Sequence, residues 1–93
     1  MAKLPQGATL DPNTVLNVGI KAFNDGKMDQ ALAQFDRAVK ENPSLPDAYY
    51  FRALVYMNQG KNAEAKADLQ KLLELDPNSK YAGDAKAFLK DLK

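Results

Sequence analysis

Side chains able to do covalent or proton chemistry are few in this chain, and the two most versatile kinds are missing. It contains no histidine and no cysteine, which removes the usual general base, the common thiol nucleophile and the usual zinc ligands. Carboxylates remain, but Asp36, Glu41, Glu64, Asp68 and Glu74 fall mainly on the polar sides of helical patterns. There, pairs such as Asp36 and Lys40 are ordinary i,i+4 partners. Ser44 and Ser79 stand just ahead of helical stretches and read as caps. Gly26 and Gly60 stand alone in turns and do not form a phosphate-cradling loop. No enzymatic activity, cofactor or metal is expected.

The charges point away from nucleic acid and membrane. Thirteen basic residues face twelve acidic ones, a formal charge of +1, without the basic excess that phosphate binding requires. The lysines near the end (Lys80, Lys86, Lys90, Lys93) are interrupted by Asp84 and Asp91 and read as a solvated helix face. No apolar run approaches the roughly 18 residues of a membrane span. The opening MAKLPQGATL lacks the apolar core of a signal peptide, so a cytoplasmic setting is the default expectation.

What remains is apolar surface. From Ala48 to Met57 the chain reads AYYFRALVYM, with Arg52 as its one charge. A helix apolar nearly all round is either buried on every side or offers a face to something else. Tyr49, Ala53 and Tyr56 share one face and are most simply core. Tyr50, Leu54 and Met57 share another, at i, i+4 and i+7, and either meet a partner or are covered by a later helix. Asn24 and Asn58 close two helical stretches. Their amides suit either a bound peptide backbone or the hydrogen bonds of a loop.

The elements that must position these residues are marked by punctuation. Asp11-Pro12 starts a helix, the aspartate as cap and the proline where its missing N–H is harmless. That helix runs to about Asn24, and Gly26 stops it. A second runs from about Asp29 to Glu41 with Ala31, Leu32, Phe35, Ala38 and Val39 on one face, and Asn42-Pro43 ends it. Ser44 and Asp47 resemble a capping box for a third helix that continues to Gln59. Asn62 is the expected cap of a fourth, faced by Ala65, Leu69, Leu72 and Leu73 and closed by Asp76-Pro77. Ser79 is the expected cap of a fifth, striped by Tyr81, Ala85, Phe88, Leu89 and Leu92. No segment alternates like a strand, so the class is all-α, and the short turns make successive helices antiparallel.

These helices also repeat. NDGKMDQA at 24–31 returns as NQGKNAEA at 58–65, so Asn24, Gly26, Lys27 and Ala31 recur 34 residues on. Gly19, Ala53 and Ala87 keep the same interval. Glycine within a helix costs roughly 1 kcal/mol against alanine, so Gly19 predicts a close helix approach. A hairpin with more apolar surface than it can hide is completed by stacking on a copy of itself.

At these offsets the chain resembles the tetratricopeptide repeat (TPR) family. Residues 46–79 carry the pattern at Tyr49, Ala53, Tyr56, Gly60, Ala65, Leu69 and Pro77. Residues 12–45 carry it at Val15, Gly19, Gly26, Ala31, Phe35, Ala38 and Pro43, and 80–93 resemble the family's final solvating helix. Ala22 and Leu72 depart from the family's usual aromatic and small residue, and Arg52 stands where leucine is common. The resemblance implies an α-α superhelix of two hairpins plus a cap, preceded by a tail at 1–11. It also implies a protein-interaction role, with the first helix of each hairpin lining a groove for a partner's peptide.

Transferred to this chain, the family's groove positions are Asn13, Leu16, Ile20, Phe23 and Asn24, then Asp47, Tyr50, Leu54, Met57 and Asn58, with Phe88 completing the floor. One TPR subgroup grips a C-terminal carboxylate with lysine, asparagine and arginine. The matching sites here are Leu16, Ile20, Phe51, Tyr81 and Ala85. The implied partner is therefore an apolar or aromatic segment, extended or helical, more than a free carboxylate. The alternative is an assembly element whose groove is filled by another copy or by its own tail, where Leu4, Pro5 and Leu10 lie.

Overall fold

A computed structural model describes residues 12–92, with the backbone alone for Pro12 and Asn13. The tail at 1–11, the expected cap Asp11 and Lys93 lie outside the described residues. Five α-helices follow one another: α1 (Pro12–Asn24), α2 (Met28–Glu41), α3 (Pro46–Asn58), α4 (Asn62–Leu75) and α5 (Ala82–Asp91). Among the described residues every regular element is helical.

The turns within the two hairpins are built alike. Gly26 and Gly60 take φ of 80° and 77°, a conformation that is strained for any residue with a Cβ. Around Gly26 the amides of Gly26 and Lys27 donate to Phe23 O and Ala22 O; around Gly60 those of Gly60 and Lys61 donate to Met57 O and Tyr56 O. Such Schellman closures satisfy carbonyls that a helix end leaves orphaned. The proline-bearing turns match as well: Asn42 Oδ1 accepts from Ser44 N at 3.3 Å and Asp76 Oδ1 from Asn78 N at 3.1 Å.

Three expected caps are absent. Helix α3 begins after Leu45, with Pro46 in the first turn and no side-chain cap, so Ser44 does not form a capping box. Asn62 is the first residue of α4, and Lys61 holds the cap position. Ser79 does accept from Tyr81 N at 3.0 Å, but it braces the turn before α5, which starts at Ala82.

Helix α2 packs on both α1 and α3, and α4 on both α3 and α5. Successive helices therefore zigzag, leaving α1, α3 and α5 along one side of an open stack. Close packing of the first hairpin depends on Gly19, where an added Cβ would stand 2.5 Å from Phe35 Cε1. Ala87, the third member of that small-residue series, is exposed and makes no such contact. Two cores result. Val15, Ala22, Ala31, Phe35, Ala38, Ala48 and Val55 form one; Tyr49, Ala53, Ala65, Leu69, Leu72 and Ala85 belong to the other. Val39 and Phe51 pack against both and join them.

Candidate functional site

Helix geometry separates the faces of α3. Ala48 and Val55 turn into the first core, Tyr49 and Ala53 into the second. At about 100° per residue, Asp47, Leu54 and Asn58 fall together on the remaining sector. Leu54 and Met57 are half-buried and pack at the margin of the second core, as does Phe88 of α5. Ile20 and Phe23 of α1 do the same at the margin of the first. Ile20 with Phe23, and Leu54 with Met57 and Phe88, thus form two half-buried apolar patches on α1, α3 and α5, with half-buried Phe51 linking the two cores. Asn24 and Asn58 are exposed at the ends of α1 and α3, where the turns are closed by backbone bonds. Asp47 is half-buried in the first turn of α3. The side chain of Asn13 lies outside the described residues.

Two expected groove residues are placed differently. Leu16 is only 5% exposed and belongs to the first core. Tyr50 is 7% exposed, because Tyr81, the residue just before α5, lies over it: the rings stack at 4.2 Å between centroids, 8° from parallel. Its hydroxyl reaches Asp84 Oδ2 at 3.4 Å. Burial chiefly, and the Asp84 carboxylate next, push the Tyr50 phenol above its ordinary pKa. Tyr50 is therefore a covered wall between α3 and α5, and the open partner contact expected of it does not fit.

An aromatic chain under this wall escapes periodicity analysis. Phe35 of α2 stacks on Phe51 at 5.8 Å; Phe51 meets Tyr50 edge-on at 5.3 Å and Tyr81 edge-on at 5.5 Å. Edge-to-face and offset contacts suit the ring quadrupoles, and here they tie α2, α3 and α5 together.

Arg52 makes the second unexpected arrangement. Its Nε and Nη2 donate to the two Asp68 oxygens, each at 2.8 Å, and Nη1 donates to Asp36 Oδ1 at 3.0 Å. The guanidinium also lies 5.7 Å from the Tyr49 and Tyr56 ring centroids. One side chain on α3 thereby binds α4 and α2. The Asp68 hydrogen bond is the main influence holding the guanidinium firmly charged. Asp68, 4% exposed, has its carboxyl raised because desolvation outweighs the Arg52 bonds. The same burial raises the Tyr56 phenol, against the pull of Arg52. The signal was a lone charge in AYYFRALVYM with aspartates 16 residues to either side. This network lies on the α2/α4 side and is structural.

Among the described residues no cluster could hold a metal ion, and no helix is long and apolar enough to cross a membrane. An open recess of about 400 Å³ lies at the α1–α2 turn, lined by Gly26, Lys27, Met28, Asp29 and Gln30. It is formed by the turn and the start of α2 alone, whereas the half-buried apolar residues of α1, α3 and α5 span the molecule, so these are the candidate site.

Known proteins share these features. Residues 19–80 match the tetratricopeptide repeat family. The chain is 39% identical over 69 residues to DnaJ homolog subfamily C member 3 of Bos taurus, covering 74% of this chain and 14% of that protein. It is 35% identical over 78 residues to Hsp70-Hsp90 organizing protein 2 of Arabidopsis thaliana, covering 81% of this chain and 14% of that protein. It therefore spans about one-seventh of those curated relatives. In structure it is similar to the first TPR of Spaghetti (RPAP3) bound to the HSP90 peptide SRMEEVD. The TM-score is 0.80 at 29% identity, covering 88% of this chain and 63% of that one. The second TPR of the same protein, bound to the same peptide, has the same fold, with a TM-score of 0.72 at 24% identity, covering 87% and 79%. On its paired helices, its left-handed glycines and this match, the chain belongs to the tetratricopeptide repeat family, whose domains bind other proteins and have no catalytic chemistry.

Proposed function

We propose that the α1–α3–α5 side holds a segment of a partner protein, gripped mainly through apolar contacts. The observation that carries this is the row of half-buried Ile20, Phe23, Leu54, Met57 and Phe88 on the side that α2 and α4 leave uncovered. Each keeps apolar area exposed that a partner could remove from water. The similar RPAP3 domains hold a peptide, which supports the same use here.

The mode of grip differs from carboxylate recognition. A free C-terminus needs cationic or amide donors converging on it, and the corresponding positions are Leu16, Ile20, Phe51, Tyr81 and Ala85. Leu16 and Ala85 are buried as well as apolar. Internal segments with leucine or aromatic side chains fit this surface better than an acidic tail. With so short a groove, affinity on the order of micromolar is expected, about −8 kcal/mol.

Selection from a peptide library displayed both internally and with free C-termini tests this. The folded domain should enrich internal apolar segments, and Leu54→Ser should weaken a selected peptide by about tenfold, or 1.4 kcal/mol, with helical content unchanged. Enrichment of acidic C-termini, or indifference to Leu54→Ser, would overturn the reading.

A further inference from the structure

Along α3 and α5 the charge bordering the groove is mainly acidic, although the chain is nearly neutral, with thirteen basic and twelve acidic residues. Lys27 and Lys61 stand in the turns at the groove's far end. Helix α3 has Asp47 and Arg52, and Arg52 is fully engaged by Asp36 and Asp68. On α5, Asp84 lies toward α3, as its contact with the Tyr50 hydroxyl fixes. Asp91 is seven residues on, two turns along the same edge, with Phe88 between them. Lys86 and Lys90 occupy the other sides of that helix. Among the described residues Asp47, Asp84 and Asp91 take part in no ion pair. Lys80, at the same end as Tyr81, sets its ammonium 5.2 Å from that ring's centroid and offsets part of this charge.

Helix stability explains some of these carboxylates. Asp47 and Asp84 stand in first turns, where negative charge complements the helix dipole. Asp91 ends α5, where the dipole opposes it, so local folding gives no reason for an acid there. From this combination of apolar floor and acidic rim we infer that the partner segment is basic as well as apolar: leucine or aromatic anchors interleaved with lysine or arginine. The inference rests on the groove assignment above and adds the sign of the ligand. Rim carboxylates would steer such a segment and fix its register.

The test uses three acetylated, amidated peptides with one pattern of leucine and phenylalanine anchors. Their polar positions carry lysine and arginine, glutamine, or glutamate. Binding is read by fluorescence anisotropy against the 93-residue chain, at low and at high salt. The cationic peptide should bind about tenfold tighter than the glutamine peptide, from several surface pairs of up to about fivefold each, and salt should shrink the margin. Asp91→Asn and Asp47→Asn should each cut the margin severalfold while the glutamine peptide's affinity holds, and Asp29→Asn on α2 should leave it unchanged. Equal affinities for all three, or a preference for glutamate, would overturn the basic-partner inference and leave the groove intact. Failure of every peptide to bind would remove the groove assignment itself.

Discussion

Gly19 is the residue whose importance the 34-residue interval conveyed best, because a small side chain kept in register implies a close neighbour. The neighbour is the Phe35 ring, with Gln34 Cβ 3.1 Å from an added Cβ. Gly19→Ala should therefore cost about 1–3 kcal/mol through overpacking, read as a lower urea midpoint, despite alanine's better helix propensity. Arg52 was less readable, since its carboxylates lie on two other helices and nothing local pairs them. Arg52→Met leaves buried Asp68 without its partner and should cost about 3–5 kcal/mol, most of it recovered by adding Asp68→Leu. The pH dependence has a definite sign. With its folded pKa raised, the stabilisation that protonated Asp68 confers is complete below the ordinary aspartate value of about 3.9 and is lost as pH rises through the raised value. Removing Arg52 pushes that carboxyl higher, so Arg52→Met should lose more stability than the parent between about pH 4 and pH 7. An equal loss in both proteins would show that the pair does not hold Asp68.

Helix ends show why punctuation located the five elements but misassigned three caps. Lys27 and Lys61 each donate to the helix just ended, at Ala22 O and Tyr56 O, and occupy the cap position of the next. With one Schellman turn doing both tasks, Asn62 has no cap left to make, and at α3 Pro46 takes the place that Ser44 was expected to prepare. Gly60→Ala should cost about 1–2 kcal/mol because its φ of 77° is left-handed. The placement of α5 was harder to anticipate. Its stripe of Tyr81, Ala85, Phe88, Leu89 and Leu92 was plain from spacing, and all five pack on the second core. Which α3 residues it would cover depends on a non-local contact, and Tyr50 shares a period with Leu54 and Met57. Tyr81→Ala should uncover Tyr50 and lower stability by about 2–4 kcal/mol. Amide exchange should then quicken through α5 while α1 and α2 keep their protection. Tyr50→Ala opens the same wall, so Leu54 is the better probe of binding.

Stacking gives the molecule unequal sides. Where α3 meets α2 it presents Ala48, Phe51, Arg52 and Val55. The corresponding residues of α1 are Thr14, Asn17, Val18 and Lys21, all exposed and mostly polar. Val18, 47% exposed, is the large apolar residue on that side, and a solvated face accommodates it. Repeat, class and helix order were readable because each rests on local periodicity. Of the residues expected to face a partner, Ile20, Phe23, Leu54, Met57 and Phe88 stay half-buried, whereas Leu16 lies in the first core and Tyr50 is covered by Tyr81, a contact between segments far apart in sequence. A partner seated on the α1–α3–α5 side is the central claim. An amide and methyl NMR titration of the chain with the cationic leucine–phenylalanine peptide tests this most directly. Shifts should concentrate at Ile20, Phe23, Leu54, Met57 and Phe88, with the exposed residues of α2 and α4 unchanged. Shifts gathered instead on α2 and α4 would contradict the assignment.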